Sequence, residues 1–485
     1  MAKNDNITDL LTDIASAIRE KKGTTDLINP QNFGEEIKSI KSGGAWVEPE
    51  ESMVNFYDYD GTLLYAYTWD EASQLTEMPT PPYEHDGLVF AGWNYTLEDL
   101  KRQGDYADIG AMYTTDNGRH RLRIVTTGVP VRMGISGTAT VYWGDGMQEE
   151  ASLDMVHDYG DYLKTYVIEI EGTTKIVISS LLGCDNVHVF SGSAQFGLGQ
   201  MMGSGLETIA TNNNFSADER WLYAVYVPYV TIPKPQAANH TFISFHSSKV
   251  KHVSIPPTQS MCPETMFYGN AVISKLIFPA DAFLNTSSSN LGQNFIRREE
   301  LRRIVVSKNN ENYSSENANV LFDKSNGTLI VGCQHSHIPK GTKIIGLYAF
   351  HQCNKLKTLE LPEGLQRIES GAFHACQGIT EAFFPDSLEF IGNGAYNNTG
   401  LKRVTFGANL DKLDAMALVY SYKMEVIDCR RCTKVPTMAN NNALSGLPTT
   451  TKIVIPDALF DTWSTATNWA TYSNRMIKAS EYVES

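Results

Sequence analysis

Cys429-Arg-Arg-Cys432 carries the sharpest chemical spacing in the chain. A CxxC can form a redox dithiol or half of a zinc site. Zinc needs two further thiolate or imidazole ligands. No second CxxC or His pair lies nearby, so the two thiols read as structural. His335 and His337 form an HxH, a weak metal signal by itself. Asp145, between Gly144 and Gly146, could be a calcium ligand or an active-site carboxylate. With no partner carboxylates beside it, it reads as a turn residue that bonds its own backbone. Asp58 and Asp60 would serve a glycosidase only at a fixed separation in space. His157 reads as a packed residue, not a base. No GxSxG, HExxH, phosphate-binding glycine loop or Rossmann glycine pattern occurs. The sequence therefore predicts no enzyme, no cofactor and no metal site. What remains is binding chemistry. Trp221, Tyr223, Tyr226 and Tyr229 lie close together and are the candidates for contact with a receptor. Trp463, Trp469 and Tyr472 could stack on sugar, but the core of a terminal cap explains them more simply.

The elements that must position such residues are set by a repeat. Units begin at Gly341, Gly364, Ser387 and Asn409, 22 or 23 residues apart. A period of this size means a solenoid. Ile345, Ile368, Ile391 and Leu413 fall in register, as do Phe350, Phe373, Tyr396 and Leu418. Leu359, Ala382, Val404 and Ile427 form a further column, and Leu361, Phe384, Phe406 and Cys429 lie two residues on, as strand alternation onto one face requires. Polar residues between the columns, Arg403 among them, are expected to face solvent. One unit cannot bury its apolar edge alone, and stacking buries a continuous core. Cys353 and Cys376 hold the small buried position and read as core thiols.

Ile345…Ala349-Phe350…Cys353…Leu356…Leu359…Leu361-Pro362 and Ile368…Ala372-Phe373…Cys376…Ile379…Ala382…Phe384-Pro385 resemble the BspA-type leucine-rich repeat of bacterial surface proteins and phage fibres. The third unit has Asn398 where the cysteine stood, and the fourth is looser. Such repeats are binding scaffolds with no catalytic residues to carry over. From Thr173 onward, short strands such as Lys251–Pro256 and Lys275–Pro279 repeat the same ending in degenerate form, with loops inserted. Val320–Gly332 reads as a hairpin within the array. Lys452–Asp457 is expected as the last strand, and residues 458–468 as a capping helix.

A chain of 485 residues has room for several domains. With 42% hydrophobic and 20% charged residues it can bury sizeable cores. A net charge of −15 argues against nucleic acid, which needs clustered Lys and Arg. No apolar run is long enough to span a bilayer. The first residues show no signal-peptide pattern, which points to synthesis in a cytoplasm and retention there until release.

At the N-terminus, Ile7, Leu10, Leu11, Ile14 and Ile18 recur at helical spacing, and Phe33, Ile37 and Ile40 mark a second helix opened by Asn29-Pro30. Two such helices cannot stand alone, so their stripe must pack on sister copies, a partner or the next domain. Ile14-Ala15-Ser16-Ala17-Ile18-Arg19-Glu20-Lys21-Lys22-Gly23-Thr24-Thr25 resembles a segment at the N-termini of tail and fibre proteins of phages infecting gut bacteria. That resemblance implies an attachment or oligomerisation element. Residues 45–116 predict an all-β or β-rich unit with a hairpin at Asp60-Gly61 and Trp93 as a core anchor. They resemble the internalin-type B repeat, a β-grasp-like spacer. Residues 117–172, with Trp143-Gly144-Asp145-Gly146, His157-Asp158-Tyr159 and Tyr166–Gly172, resemble the PKD-type, immunoglobulin-like β-sandwich.

The expected fold class is mainly β and multidomain: a helical hairpin over 1–44, the β-grasp-like module over 45–116, the sandwich over 117–172, the solenoid over 173–455 (regular over 341–431), and a cap over 456–485. The expected function is a non-enzymatic phage fibre or receptor-binding protein, located in the virion. The N-terminal helices hold it to other virion proteins or to sister chains in a homo-oligomer, a trimer being one form. The two small β modules space it outward, and the ladder meets a host glycan or protein. Nucleic acid and membrane insertion are not expected. A decoration protein of head or baseplate and a bacterial adhesin are the alternatives.

Overall fold

The computed structural model describes residues 54–190, 192, 274–281 and 301–484, apart from 174, 317 and 358, together with the backbone of five short strands between 196 and 254. The attachment residues Ile7, Leu10, Leu11, Ile14, Ile18, Phe33, Ile37 and Ile40 lie outside it.

The chain is mainly β. Val54–Tyr57 and Leu63–Tyr67 pair antiparallel around Asp60-Gly61, where Gly61 has φ 86°. Val54–Tyr57 also pairs parallel with Ala107–Thr115, which pairs antiparallel with Leu88–Trp93. Two helices, Trp69–Ser73 and Leu97–Gln103, interrupt this expected β-rich unit. Each opens with a capping box, Thr68 with Glu71 and Thr96 with Asp99, so each start was encoded locally. Trp93 is buried as an anchor and donates from Nε1 to the Pro79 carbonyl at 2.7 Å.

The sandwich does not close at Gly172. Ile176–Leu182 pairs antiparallel with Val131–Ser136, and Cys184–Phe190 with His120–Thr127. On their other edges these two strands pair parallel with Phe196–Leu198 and Leu206–Ala210. The strands expected as the first degenerate rungs are thus also edge strands of the sandwich. Short alternating strands look alike in sequence whichever neighbour they take. One apolar core runs across the junction, from Leu122 and Trp143 through Ile176 and Val189 to Phe278, Ile304 and Ile330.

The first β-rich unit is fastened to the ladder and does not stand off from it as a spacer would. Ser307 Oγ donates to the Gln103 carbonyl, and the Ala280 amide donates to Gln103 Oε1 at 2.8 Å. Asn309 Nδ2 donates to the Arg102 carbonyl at 2.8 Å, and Arg102 pairs with Asp281. Lys275 Nζ reaches the buried Asp108 carboxylate at 2.9 Å.

Beyond residue 300 the hairpin Leu321–Asp323/Thr328–Val331 starts the regular stack. Thr328–Val331, Ile344–Ile345, Arg367–Ile368, Phe390–Ile391, Lys412–Leu413 and Thr437–Met438 follow one another in parallel. A second parallel sheet holds Glu381–Phe383, Arg403–Thr405, Val426–Asp428, Lys452–Ile455 and Met476–Lys478. The columns meet as rungs: Phe350, Phe373 and Tyr396 stack with centroids 5.2 and 4.9 Å apart, near the spacing of paired strands. The cap differs from the expected one. The α-helix spans only Phe460–Thr465, and Met476–Lys478 is a further strand beyond Lys452–Ile455. Trp463 and Trp469 are fully buried, and Trp469 Nε1 donates to the Pro436 carbonyl, so the aromatic cluster closes the core.

Tyr348, Gly371, Gly394 and Met416 occupy one left-handed position in successive units, Met416 with φ 55°. Glycine adopts that conformation without the penalty a side chain meets, so Met416→Gly is expected to stabilise the ladder by about 1 kcal/mol, read as a higher urea midpoint. The Tyr396 hydroxyl is buried with no hydrogen-bond partner, so Tyr396→Phe is expected to leave stability unchanged or raise it by about 1 kcal/mol in the same titration.

Candidate functional site

Strand alternation decides which side chains the second sheet offers to solvent. Ala382, Val404, Ile427 and Ile453 turn inward and are buried. Glu381, Phe383, Arg403, Thr405 and Asp428 take the opposite face. There a groove of about 890 Å³ is lined by these residues together with Lys357, Thr380, Arg430, Arg431 and Glu484. Phe383 is 55% exposed in spite of its size, and the Arg431 guanidinium lies 4.6 Å from its ring centroid.

The floor of the groove is Asp428, whose side chain is only 4% exposed. Its Oδ2 accepts from Arg403 Nη2 at 2.9 Å and from Arg430 Nη2 at 2.7 Å. Its Oδ1 accepts from the Arg430 amide at 3.1 Å and from Arg430 Nε at 3.0 Å. Burial alone would raise the Asp428 pKa, but the hydrogen bonds from Arg430 and Arg403 override it and hold the carboxyl below its usual range. Hydrogen bonds to Asp428 in turn raise Arg430. The same two Nη2 groups converge on Glu484 Oε1, at 3.0 Å from Arg403 and 2.9 Å from Arg430. Glu484 is 61% exposed, and its pKa is lowered by Arg430 and Arg403. Two guanidinium charges thus stand over one buried carboxylate, leaving a net positive site for a second carboxylate above.

Residues 331–458 match the family model of the BspA type leucine rich repeat region, in six copies. This stretch is a BspA-type leucine-rich repeat. It contains the four units legible in the sequence and extends past them on both sides. No curated protein matches the chain. Solved structures similar to it include the following three. The pneumococcal vaccine antigen PcpA is 16% identical over 73% of this chain and 98% of its own, with a TM-score of 0.38. A leucine rich cell surface protein from Faecalibacterium prausnitzii is 15% identical over 61% and 93%, with a TM-score of 0.36. A leucine-rich repeat protein from Eubacterium ventriosum is 16% identical over 57% and 89%, with a TM-score of 0.34.

Of the receptor-contact candidates, Trp221, Tyr223 and Tyr226 lie outside the described residues, and Tyr229 opens a short strand to Thr231 whose backbone alone is described. Cys429 and Cys432 are buried, and Cys432 Sγ donates to the Gly407 carbonyl. Burial pushes the Cys429 thiol pKa well up, away from a reactive thiolate. Asp145 Oδ1 accepts from the Met147 amide as a turn residue does, while Oδ2 meets His157 Nε2 at 2.8 Å. His157 stacks on buried Trp143, 4.5 Å between centroids. Asp60 accepts from the Thr62 amide, and Asp58 from the Tyr59 amide and His85, so both serve the hairpin. Sequence reasoning placed Arg403 on the solvent face. It did not single out Asp428, Arg430, Arg431 or Glu484, and the approach of residue 484 to residues 81 and 54 positions earlier has no periodic signature.

Proposed function

We propose that this protein is a non-enzymatic recognition fibre of a phage particle, held to the virion by residues 1–44 and presenting the leucine-rich-repeat surface to the host cell. The observation that carries the recognition half is the stacked ladder with its open, charged groove: a rigid scaffold holding side chains at fixed spacing over solvent. The virion half rests on the segment Ile14–Thr25, and the internalin-B-like and PKD-like resemblances fit a fibre of this kind. Binding proceeds by many weak contacts to a surface glycan or protein, multiplied by the copies on one particle. Sister chains and other virion proteins are the partners at the N-terminal end. A bacterial surface adhesin is the second reading, favoured by the repeat type itself, and a decoration protein of head or baseplate is the third. Immunogold electron microscopy with antibody against residues 173–485 tests the choice. Gold on tail tips or projecting fibres supports host recognition. Gold spread over the capsid supports decoration, and gold on cells with bare particles overturns the virion reading.

A further inference from the structure

We infer that the groove over Asp428 binds a saccharide bearing a carboxylate, and that Glu484 occupies the carboxylate position until such a ligand displaces it. The inference rests on the recognition reading above and names its ligand class. Its geometric ground is the convergence of Arg403 Nη2 and Arg430 Nη2 on a single oxygen, Glu484 Oε1. Both guanidiniums are held in place from below by the buried Asp428, so the site above is preorganised with or without an occupant. Planar guanidinium pairs match carboxylates in shape as well as charge. In a chain of net charge −15, such a site is an exception to the overall field.

The occupant present is weakly held. Glu484 is largely exposed, and exposed ion pairs of this kind contribute little. The segment that carries it rests on the sheet through the Ser480 amide, which donates to Asp457 Oδ1 at 3.0 Å, and through Tyr482, over which Arg430 and Lys452 lie. The rest of the lining mixes apolar Leu359 and Ala382 with groups that can meet sugar hydroxyls: Glu381 accepts, Thr380 and Thr405 donate and accept, and Lys357 donates. Exposed Phe383 offers a ring at the rim. A volume near 890 Å³ suits a few sugar rings.

The test is an array printed with uronate- and sialate-containing oligosaccharides and with their methyl esters, which keep the shape and remove the charge. Full-length protein, Glu484→Gln and Arg403→Gln are compared. Retention is expected on free carboxylates only, at least about fivefold stronger in Glu484→Gln, where the built-in competitor has lost its charge, and at least about tenfold weaker in Arg403→Gln. Glu484 is exposed, so its variant folds, and the inference stands on it even where Arg403→Gln unfolds. An array empty for both the parent protein and Glu484→Gln, or methyl esters retained equally well, overturns the inference. Equal retention by the parent and Glu484→Gln also overturns it, because Glu484 would then be no competitor. Binding of the parent protein to intact host cells is measured beside the array. Cells bound with an empty array removes the carboxylate ligand and leaves surface recognition standing, whereas bare cells with an empty array removes both.

Discussion

Lys275→Met is expected to loosen the first β-rich unit from the ladder, at a cost of about 3–5 kcal/mol. Lys275 Nζ lies 2.9 Å from Asp108 Oδ2, and the Asp108 side chain is only 3% exposed. The two residues are 167 positions apart, and the pair joins the strand Ala107–Thr115 to the ladder strand Lys275–Phe278. Asn55 Nδ2 also donates to Asp108 Oδ1 at 3.0 Å. With the ammonium gone, the buried carboxylate keeps neutral donors such as Asn55 but loses the Lys275 cation. The large cost is that of removing a cation from a buried carboxylate, while the intact pair is worth much less on balance. The double variant Asp108→Asn with Lys275→Met should therefore recover most of the loss. A double-mutant cycle on the urea midpoint, followed by the fluorescence of Trp69 and Trp93, measures the coupling. Additive single effects would show that the pair does not hold this joint. Limited proteolysis should in parallel show faster cleavage between the unit and the sandwich in the single variant.

Acid is expected to destabilise the sandwich between pH 6.5 and pH 4, before its paired carboxylates titrate. Burial pushes His120 down to about 4, and burial together with Arg123 does the same to His188. The His120 imidazole accepts from the Gly192 amide through Nδ1 at 2.8 Å. A protonated ring cannot accept there, so the neutral form is the folded form. Both folded values lie below the unfolded value. As pH falls below about 6.5 the unfolded chain takes up protons that the folded chain refuses. Stability is thus complete above pH 6.5 and lost on the way down to pH 4, by about 3 kcal/mol for each histidine. The carboxyls of Glu169 and Asp145 follow the other branch. Burial opposes their charge, but hydrogen bonds from Asn117, Arg121 and Arg119 to Glu169, and from Met147 and His157 to Asp145, hold both below the usual range. Their contribution is lost only at lower pH. Urea midpoints at pH 7.5, 6, 5 and 4.5 should fall steadily, and His120→Asn should flatten the profile. A flat profile for the parent protein would show that these rings are solvated.

The stack was legible in the sequence. Its columns of Ile345, Ile368, Ile391 and Leu413 became the rungs of one parallel sheet, and Ala382, Val404 and Ile427 those of another. A repeat places equivalent residues one strand spacing apart, so register is legible wherever periodicity is. The helices capped by Thr68 and Thr96 were not expected, although each carries a capping box in its sequence, because each is only a turn or two long inside a strand-rich stretch.

Tertiary structure decided what periodicity does not encode. The strands Ile176–Leu182 and Cys184–Phe190 serve both sandwich and ladder, because an edge accepts whichever neighbour the fold brings. The candidate site follows the same division. Strand alternation placed Arg403 and Asp428 on one outward face, so half of it was present in the pattern. The other half depends on Glu484 returning across the sheet and on Arg430 folding back onto Asp428. Long-range ion pairs leave no local mark, since any carboxylate satisfies a guanidinium and only the folded path of the chain selects which one arrives.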